Sequence, residues 1–368
     1  MKIAYVAETS LTNKSAYTHH VIKMCDAFSQ QNNDVTLFIP NLKKNLQFRS
    51  LEKKFILFSK NRFELNSVIN KKTSNFFLRI LFGLKTAIKL KNKNYEIILT
   101  RSLIVSLFLS LFKTYHFLEI HSELKSFTKF YMLNLNFINS KFIIKKILIS
   151  KELNKIFKIK KENLLILHDG SDPKNFTKFK KIKEIKTATY IGSFYKGRGI
   201  ELLYSLAKKF KNINFKLYGQ VNYDYKSNLK NLNIFNYVEY SKIPSILATS
   251  DLLLMPYEKK VFVRAKNINT ANYCSPLKMF DYLASGKIII SSNLSGISEV
   301  IKDGYNGYLV NNFDVLSWEK KINEIIKKKR NYQTQKNALR TAKKYSWNNR
   351  VKKIIIEYKK NNIKRSLI

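Results

Sequence analysis

The stretch YIGSFYKGRGIELL (190–203) decides the fold, because it passes from a buried strand through a glycine-rich loop into a helix. The strand is predicted to end at Gly192 and the helix to begin near Ile200. Two more glycines, at positions 197 and 199, let backbone amides approach a bound group closely. A strand followed directly by a helix is the repeating unit of parallel α/β domains. The stretch therefore predicts a doubly wound sheet with a ligand-binding loop at the carboxyl end of a strand.

A second stretch, CSPLKMFDYLASGKIII (274–290), has the opposite order, a helix and then a buried strand. Ser275 is expected to cap the helix and Pro276 to take its first position. Lys278 then lies in the first turn, where the helix dipole disfavours a cation by about 0.3–1 kcal/mol. A bound anion would make this arrangement favourable. Asp281, on the same face, either pairs with Lys278 or accepts two hydrogen bonds from a ribose diol.

Short apolar runs alternate with helical patterns along the whole chain. Most runs are uniformly apolar, as expected for strands that are buried on both faces of a parallel sheet. The predicted strands are 2–8, 34–40, 95–100, 116–121, 146–150, 164–170, 187–194, 214–220, 238–242, 252–257, 287–292 and 307–310. The predicted helices include 15–31, 198–211, 276–285 and a final amphipathic helix over 346–362. Two doubly wound domains are therefore predicted, with a boundary in the charge-rich segment 171–186.

Length and composition restrict the class of protein. With 368 residues, of which 45% are hydrophobic, the chain is long enough for two domains with separate cores. Cys25 and Cys274 cannot build a disulfide framework and suit a reducing cytoplasm. The five histidines lack the spacings of structural zinc sites. The N-terminus reaches a polar residue too soon for a signal peptide, and the longest apolar stretch, 102–112, is shorter than the roughly 20 residues of a transmembrane helix.

The net charge of +43 leaves three interpretations open. Lysine, asparagine and isoleucine are abundant throughout and share A/T-rich codons, so genome composition can account for much of the excess. Alternatively, the charge attracts an anionic membrane or glycolipid, or a nucleic acid. The aromatic residues lie in apolar periodic runs and not as stacking platforms between basic residues, so no nucleic-acid partner is expected.

The segment FFLRILFGLKTAIKLKNK (76–93) is predicted to be an amphipathic helix. One stripe of it carries apolar side chains with lysines alongside, namely Phe77, Ile80, Leu81, Leu84 and Ile88. The helix either packs in the core before the strand at 95–100 or lies on an anionic bilayer at the inner face of the cytoplasmic membrane.

Taken in order, these features resemble a known family, the retaining glycosyltransferases of family 4 (glycosyl transferases group 1). The matching fragments are MKIAYVAETS (1–10), FLEIHS (117–122), LILHDGSDPKNF (165–176), YIGSFYKGRGIELL (190–203), SDLLLMPYE (250–258), SPLKMFDYLASGK (275–287), GISEVIKDGYNGYLV (296–310) and YSWNNRVKKI (345–354). Each fragment alone is weakly specific, and their order and spacing carry the resemblance. It implies the GT-B architecture, in which two doubly wound Rossmann-like domains face a cleft. The acceptor-side domain is then 1–170, joined by the C-terminal helix 346–368, and the nucleotide-sugar-binding domain is 171–345.

The resemblance also implies the roles of individual residues. The donor nucleotide would be held by Gly192, Ser193, Lys196, Arg198, Pro276, Leu277 and Lys278, with Asp281 at the ribose. His121 falls where a histidine of the family contacts the donor sugar near the reacting centre. The residues expected to be catalytic are His121, Lys196 and Lys278, and those expected on the acceptor side are Asn13, Lys14 and Ser15.

Three positions depart from the pattern of the family. Ser193 stands where many members have an arginine, and Tyr273 and Asp281 stand in place of two glutamates eight positions apart. The segment SLTNKSAYTHH (10–20) replaces a glycine-rich loop. A subset of the family has the same Ser-Pro-x-Lys form. In this form Lys278 would supply the charged group at the place where the first carboxylate is missing.

The reaction that the resemblance implies is glycosyl transfer from a nucleotide-diphosphate sugar to a glycan or lipid-linked acceptor, with retention of configuration. In front-face displacement the leaving diphosphate takes the acceptor's proton, and preorganised cations stabilise the developing charge. No Asp-x-Asp motif follows a strand, so neither a metal nor a cofactor is expected. The setting would be synthesis of cell-surface polysaccharide or lipopolysaccharide.

Two other functions compete with this one. A nucleotide-dependent oxidoreductase is disfavoured because GRGIEL (197–202) lacks the third glycine of the dinucleotide fingerprint. A non-enzymatic basic protein that binds nucleic acid or membrane is the alternative from another class.

Overall fold

The computed structural model describes residues 1–13, 15–43, 45–124, 126–176, 179–220, 228–262, 269–328 and 331–366. The chain forms two compact units. The first comprises Met1–Ile149, Leu153–His168 and the chain from Trp347 onward, and the second comprises Ser150–Glu152 and Asp169–Ser346. The predicted boundary between residues 170 and 171 lies two residues after this division, and the last helix is part of the first unit.

The first unit is built on a seven-stranded parallel sheet of order β3-β2-β1-β4-β5-β6-β7. Its strands are β1 (Lys2–Val6), β2 (Asp34–Ile39), β3 (Glu64–Ser67), β4 (Ile97–Thr100), β5 (His116–Ile120), β6 (Ile143–Leu148) and β7 (Leu164–Ile166). The helices are α1 (Ala16–Ser29), α2 (Phe48–Phe55), α3 (Phe76–Lys91), α4 (Leu103–Leu111), α5 (Ser126–Lys129), which continues as a π-helical turn (Phe130–Asn134), and α6 (Lys151–Phe157). Short 3₁₀ turns cover Phe137–Asn139 and Lys161–Asn163.

The second unit is built on a six-stranded parallel sheet of order β10-β9-β8-β11-β12-β13. Its strands are β8 (Thr187–Ile191), β9 (Asn214–Tyr218), β10 (Leu232–Phe235), β11 (Leu252–Met255), β12 (Ile288–Ser292) and β13 (Tyr308–Val310). Its helices are α7 (Ile200–Lys209), α8 (Ile243–Ala248), α9 (Leu277–Ser285), α10 (Ser295–Ser298), α11 (Val315–Lys327) and α12 (Asn331–Lys344). The helix α13 (Trp347–Ser366) follows and belongs to the first unit.

The core of the second unit lies on both faces of its sheet. Along β11, Leu252 and Leu254 pack into one cluster with Trp318 of α11, and Leu253 and Met255 pack into another with residues of α9. Alternate residues of a strand point to opposite faces, so a strand covered by helices on both sides must be apolar throughout. This is why the uniformly apolar runs were correct indicators of parallel strands.

Each sheet has one place where the strand order reverses. In the first unit the reversal lies between the neighbours β1 and β4, and in the second it lies between β8 and β11. Loops that leave adjacent strands at a reversal diverge to opposite faces and open a crevice at the carboxyl ends, where ligands of such sheets bind. Functional side chains are therefore expected on the loops after β1, β4, β8 and β11.

One predicted strand was wrong, and two strands of the structure were not predicted. The segment 238–242 is not a strand, because Tyr240–Lys242 form a 3₁₀ turn that leads into α8. The strands β3 and β10 were missed; both are edge strands of four residues and contain polar residues. An edge strand has fewer buried positions and gives a weaker apolar signal than a central one.

The start of α9 also differs from the prediction. Pro276, not Ser275, is the N-cap, and its side chain makes no capping hydrogen bond. Pro276 has extended backbone angles (φ −72°, ψ 129°), so the helix begins one residue later, at Leu277.

Among the described residues, every helix falls short of the combined length and apolarity that spanning a membrane requires.

Candidate active site

The side chain of Lys278 is held at the carboxyl end of β8. Its Nζ lies 3.9 Å from the ring centroid of Tyr190, on β8, and 5.6 Å from that of Tyr257, which follows β11. The Nζ is buried and has no hydrogen-bond partner in the described part of the chain, so of the two alternatives for Asp281 the ion pair with Lys278 is not formed. Burial, reinforced by the positive charge of Arg198, holds the pKa of Lys278 well below its usual range.

Gly192 is required where it stands because Lys278 passes over it. A Cβ on Gly192 would lie 2.3 Å from Lys278 Nζ, and its φ of +152° is one that other residues rarely adopt. Its amide donates to Tyr218 O at 2.8 Å. The next residue, Ser193, accepts a hydrogen bond from Tyr190 OH on its backbone oxygen at 2.8 Å. Lys278 thus packs against the end of β8 and the loop that follows it.

Arg198 is a second cation beside Tyr257. Its guanidinium lies 5.1 Å from the ring centroid of Tyr257, and Nη2 donates to Phe262 O at 3.4 Å. Its Nε is buried without a hydrogen-bond partner among the residues described. Lys196 differs: its side chain is exposed to solvent. The structure therefore brings Arg198 and Lys278 together around two tyrosines and leaves Lys196 at the rim of the loop.

The loop that carries these cations is fixed by close backbone packing. A Cβ on Gly197 would lie 2.0 Å from Lys260 O, and one on Gly199 would lie 1.9 Å from Pro256 O. Only glycine allows the loop after β8 to approach the loop after β11 this closely. This contact positions the start of α7 at the strand-order reversal.

Two helices begin at this site without a side-chain cap. Gly199 is the N-cap of α7 and Pro276 that of α9, and in the described structure neither makes a side-chain capping hydrogen bond. The first amides of a helix have no partner within the helix and carry partial positive charge. Together with Lys278 and Arg198, this arrangement can bind a multiply charged anion such as a diphosphate.

Asp281 lies on α9, one turn after Lys278, and is buried. Its Oδ1 accepts a hydrogen bond from Tyr240 OH at 3.2 Å. Tyr273, eight positions earlier, is also buried, and its backbone oxygen accepts a hydrogen bond from Ser150 Oγ at 3.1 Å. The two positions therefore differ in kind, since only Asp281 offers a carboxylate.

In the first unit, His121 directly follows β5 and is bound to Glu119 of the same strand. His121 Nε2 lies 2.8 Å from Glu119 Oε1. The same oxygen lies 2.5 Å from Arg350 Nη2 of α13 and 3.0 Å from His20 Nε2 of α1. Burial, with the positive charge of Arg101, lowers the pKa of His121 to about 3.

Glu119 is ionised in this setting. Burial alone would raise its pKa, but Arg350, assisted by His20 and His121, holds the pKa well below its usual range. Its second oxygen, Oε2, accepts a hydrogen bond from Tyr5 OH at 3.0 Å. A buried carboxylate with this many donors is stable only because the cation lies beside it.

His20, Glu119 and His121 are also the described residues that could together hold a metal ion, because their ligand atoms lie within 4.8 Å of one another. The donor set fits a hydrogen-bond network better than a metal centre. The Glu119 oxygen that would bind the metal is already 2.5 Å from the Arg350 guanidinium, which would repel a divalent cation.

Of the three predicted acceptor-side residues, the structure describes Asn13 and Ser15. Ser15 is the N-cap of α1, and its Oγ accepts from Thr18 N at 3.2 Å. Asn13 is exposed in the turn before it, and Lys14 lies outside the described residues. The strand-order reversal of this unit carries other polar groups, with Arg79 and Ser102 both hydrogen-bonded to Glu8, at 2.7 and 2.5 Å.

Sequence reasoning missed Glu119, His20 and Arg350. A signal existed for Glu119, which is two residues before His121 in an apolar strand and so shares a face with it. A carboxylate in such a strand needs a buried cation. No local pattern identifies that cation, because Arg350 is 231 residues further along the chain.

Comparisons with known proteins agree with this architecture. Over the whole chain the structure is similar to a glycosyltransferase from Rickettsia africae (TM-score 0.70, 15% identity, 98% of both chains). It is also similar to the Anabaena protein HepE in complex with UDP and glucose (TM-score 0.68, 13% identity, 100% of both chains). A third similar structure is WaaG, a glycosyltransferase involved in lipopolysaccharide biosynthesis (TM-score 0.63, 13% identity, 96% of this chain and 99% of that one).

The fold is GT-B. Within it, residues 171–345 match the family model described as Glycosyl transferases group 1. An uncharacterized glycosyltransferase of Methanocaldococcus jannaschii is 24% identical over 166 residues. This match spans 43% of the present chain and 43% of that relative, so it covers less than half of either protein. The domain match and the GT-B fold together support a glycosyltransferase enzyme.

Proposed function

We propose that the protein transfers a glycosyl group from a nucleoside-diphosphate sugar to a glycan or lipid-linked acceptor, as a retaining enzyme of glycosyltransferase family 4. The observation that carries the proposal is the buried Nζ of Lys278, which no hydrogen-bond acceptor in the described residues satisfies. It lies beside Gly192 and in the first turn of a helix without a side-chain cap. An unpaired buried cation is costly, and a bound diphosphate would offset that cost.

In this proposal the diphosphate binds to Lys278, Arg198 and the backbone N–H groups of Ser193 and Leu277, in the loop at Gly192 and at the start of α9 after Pro276. The exposed Lys196 reaches over the loop to the same group. Asp281 binds the ribose diol, with Tyr240 holding its carboxylate in place. These cations stabilise the charge that develops on the leaving diphosphate, while His121 contacts the donor sugar. No metal takes part in the proposed transfer.

The proposed setting is synthesis of cell-surface polysaccharide or lipopolysaccharide in the cytoplasm. Asn13 and Ser15, with Lys14, are proposed on the acceptor side.

The experiment is a panel of UDP-, GDP- and ADP-sugars with two readouts, the thermal shift of the free protein and the release of nucleoside diphosphate. We expect one donor to raise the melting temperature and to be turned over in the presence of EDTA. Reversing the charge of Lys278 and Lys196 to glutamate should abolish both effects. If no donor shifts the melting temperature and duplex DNA does, the protein is the non-enzymatic binder.

An exposed aromatic surface favours a second interaction, with an anionic membrane. It consists of Phe76 and Phe77 at the start of α3 and Phe127 and Phe130 near α5, whose exposed fractions are 42%, 80%, 48% and 51%. The rings of Phe76 and Phe127 are in contact, with centroids 4.9 Å apart. Isolated exposed apolar residues are normal, but a contiguous aromatic group indicates an interaction site.

The orientation of α3 supports this interpretation. The residues that α3 buries are Phe82, Gly83, Thr86, Ala87 and Leu90. The stripe that the sequence singled out, which contains Phe77, Leu81 and Ile88, is largely exposed. The sequence has no acidic residue in 65–95 or in 124–141, so every charged residue of these two segments is a lysine or an arginine. Aromatic and basic side chains together suit the headgroup region of an anionic bilayer.

Co-sedimentation with vesicles tests this contact. The protein is expected to bind phosphatidylcholine vesicles that contain phosphatidylglycerol and not those of phosphatidylcholine alone. Phe77→Ser with Phe127→Ser should lower the bound fraction at least threefold. Leu316→Ser, at an equally exposed residue of the second unit (70%), is the matched control and should bind like the wild type. Equal binding by the double variant would eliminate the exposed aromatic surface as the contact.

A further inference from the structure

The network around Glu119 determines which nitrogen of His121 carries a proton. An ionised carboxylate can only accept hydrogen bonds, so the His121 nitrogen that faces it, Nε2, must be the protonated one. The low pKa of His121, about 3, leaves the ring uncharged near neutral pH. A neutral imidazole has one N–H and one lone pair. With Nε2 protonated, Nδ1 is therefore a hydrogen-bond acceptor.

The other nitrogen of His121 is available to a ligand. The side chain is 19% exposed, and Nδ1 makes no hydrogen bond to any described residue. His20, by contrast, is buried and packs edge-on against His121 and against Trp347, with centroids 4.8 and 5.1 Å away. Of the two histidines on Glu119, only His121 can present its second nitrogen to a substrate.

Arg350 keeps Glu119 in the form that this arrangement needs. Its side chain is 3% exposed, and Nη2 lies 2.5 Å from the carboxylate oxygen that His121 also contacts. Without this cation the buried carboxylate would take up a proton more readily. A protonated Glu119 could donate to Nε2, and the proton of the ring would then move to Nδ1. The charge on Arg350 thus controls the tautomer of a residue that it does not touch.

The groups that face His121 come from five elements. Glu119 of β5, His20 of α1 and Arg101 after β4 act on His121 directly, whereas Tyr5 of β1 and Arg350 of α13 act on it through Glu119. Glu119 favours the charged imidazole, whereas burial and Arg101 disfavour it. The balance leaves a neutral ring in a fixed orientation, which is the form that accepts a hydrogen bond from a hydroxyl group.

We propose that Glu119 and Arg350 are positioning residues that hold His121 as the neutral Nε2–H tautomer, so that Nδ1 accepts a hydrogen bond from a hydroxyl of the sugar at the reacting centre. The proposal rests on the proposed glycosyl transfer and on His121 as the residue that contacts the sugar. A sugar hydroxyl can donate or accept, and an acceptor nitrogen selects the orientation in which it donates. Orientation at the reacting centre is a large part of catalysis.

The tautomer can be measured without any activity. Long-range ¹H–¹⁵N correlation spectra of the full chain, labelled at its five histidines, distinguish Nε2–H, Nδ1–H and charged rings. The His121 signals are assigned by their loss in His121→Gln. We expect the Nε2–H form in the wild type at pH 7, with no titration above pH 5. An Nδ1–H or charged His121 at pH 7 in the wild type would overturn the proposal, even if no variant folds.

Variants then connect the tautomer to turnover. In Glu119→Gln the amide can donate or accept, so we expect a mixture of the two tautomers. In Arg350→Met, Glu119 should take up a proton more readily, so we expect the ring to shift toward the Nδ1–H form at pH 7. Both should lower kcat/KM about 10- to 100-fold, with the Kd for the nucleoside diphosphate within twofold of the wild type. Glu357→Gln is the matched control, because Glu357 lies on α13 like Arg350 and forms an ion pair with Lys145 (3.5 Å). This variant should change neither the tautomer of His121 nor kcat/KM.

The outcomes separate the two proposals. A mixed tautomer in Glu119→Gln with wild-type kcat/KM would overturn the positioning role and leave glycosyl transfer intact. An Nε2–H tautomer in a wild type that turns over no nucleotide sugar would overturn the proposed function, and with it the role given to Nδ1.

Discussion

Replacing Lys278 with methionine is expected to stabilise the free protein. The Nζ of Lys278 is buried 3.9 Å from the Tyr190 ring centroid and lacks a hydrogen-bond partner in the region that the structure describes. Such a group costs about 1–3 kcal/mol, and the cation–π contact returns about 0.5–2 kcal/mol. Methionine keeps an unbranched stem without the charge. The net gain is on the order of 1 kcal/mol, which raises Tm by about 2–4 °C for a domain of this size.

The same substitution is expected to weaken donor binding. A hydrogen bond to a charged group contributes roughly 1.5–3 kcal/mol. Since about 1.4 kcal/mol corresponds to a factor of ten, the Kd of the nucleoside diphosphate should rise about 10- to 150-fold. A lysine that serves the fold would give a loss of stability on substitution. A lysine that serves the ligand gives opposite signs for stability and affinity.

Thermal unfolding and calorimetric titration with the nucleoside diphosphate measure both quantities in one buffer. The matched control is Lys287→Met, two residues after the end of α9. Lys287 is also buried, but its Nζ donates to Ala248 O at 2.7 Å, so its loss should lower Tm and leave Kd unchanged. A Lys278→Met protein that melts below the wild type, or that binds the diphosphate with wild-type affinity, would refute the reasoning.

Two further predictions concern other residues. Gly192→Ala should displace Lys278, whose Nζ would lie 2.3 Å from the new Cβ, and raise the diphosphate Kd about tenfold. Gly304→Ala is the control, because Gly304 also has a positive φ of +71° but a Cβ there would meet only Lys328 Nζ, at 4.0 Å. Wild-type affinity in both variants would contradict the contact between Gly192 and Lys278. His116, whose pKa burial lowers to about 4, binds its proton more weakly folded than unfolded, so its contribution to stability is complete above about pH 6.5 and is lost as the pH falls through 4, by about 3 kcal/mol. Urea unfolding from pH 7 to 4 should show a shallower decline for His116→Gln, and parallel declines would contradict this assignment.

Much of the second unit could be predicted from its sequence because its site is local. The loop at Gly192–Gly199 carries two cations and three glycines within eight residues, and Lys278 and Asp281 lie within one turn of the same helix. Their meeting at the strand-order reversal follows from the order of the strands. What the sequence did not reveal was the burial of Lys278 against Tyr190, since a lysine in a first helical turn usually points to solvent.

The first unit was predicted less completely because its polar groups are gathered from distant segments. His121 was predicted as a site residue from the fragment FLEIHS, but the groups that surround Glu119 beside it come from α1, β1 and α13. Each of those segments has an ordinary amphipathic or apolar pattern. The expectation that Ser15 lies on the acceptor side was less informative, because a serine directly before a helix is commonly there to cap it.

The treatment of buried charge differs between the two units, and this difference bears on function. In the first unit Glu119 is paired with a buried cation and accepts hydrogen bonds from several donors before any ligand binds. Its charge therefore needs no ligand to be satisfied. In the second unit Lys278 Nζ is without an acceptor in the described residues, although the desolvation cost is of the same kind. A fold that can supply partners for one buried charge could have supplied them for the other, or replaced it. An unsatisfied cation next to two uncapped helix starts is therefore best explained by an anion that arrives with the substrate, whereas a satisfied network beside His121 is best explained by the need for one fixed orientation of its ring.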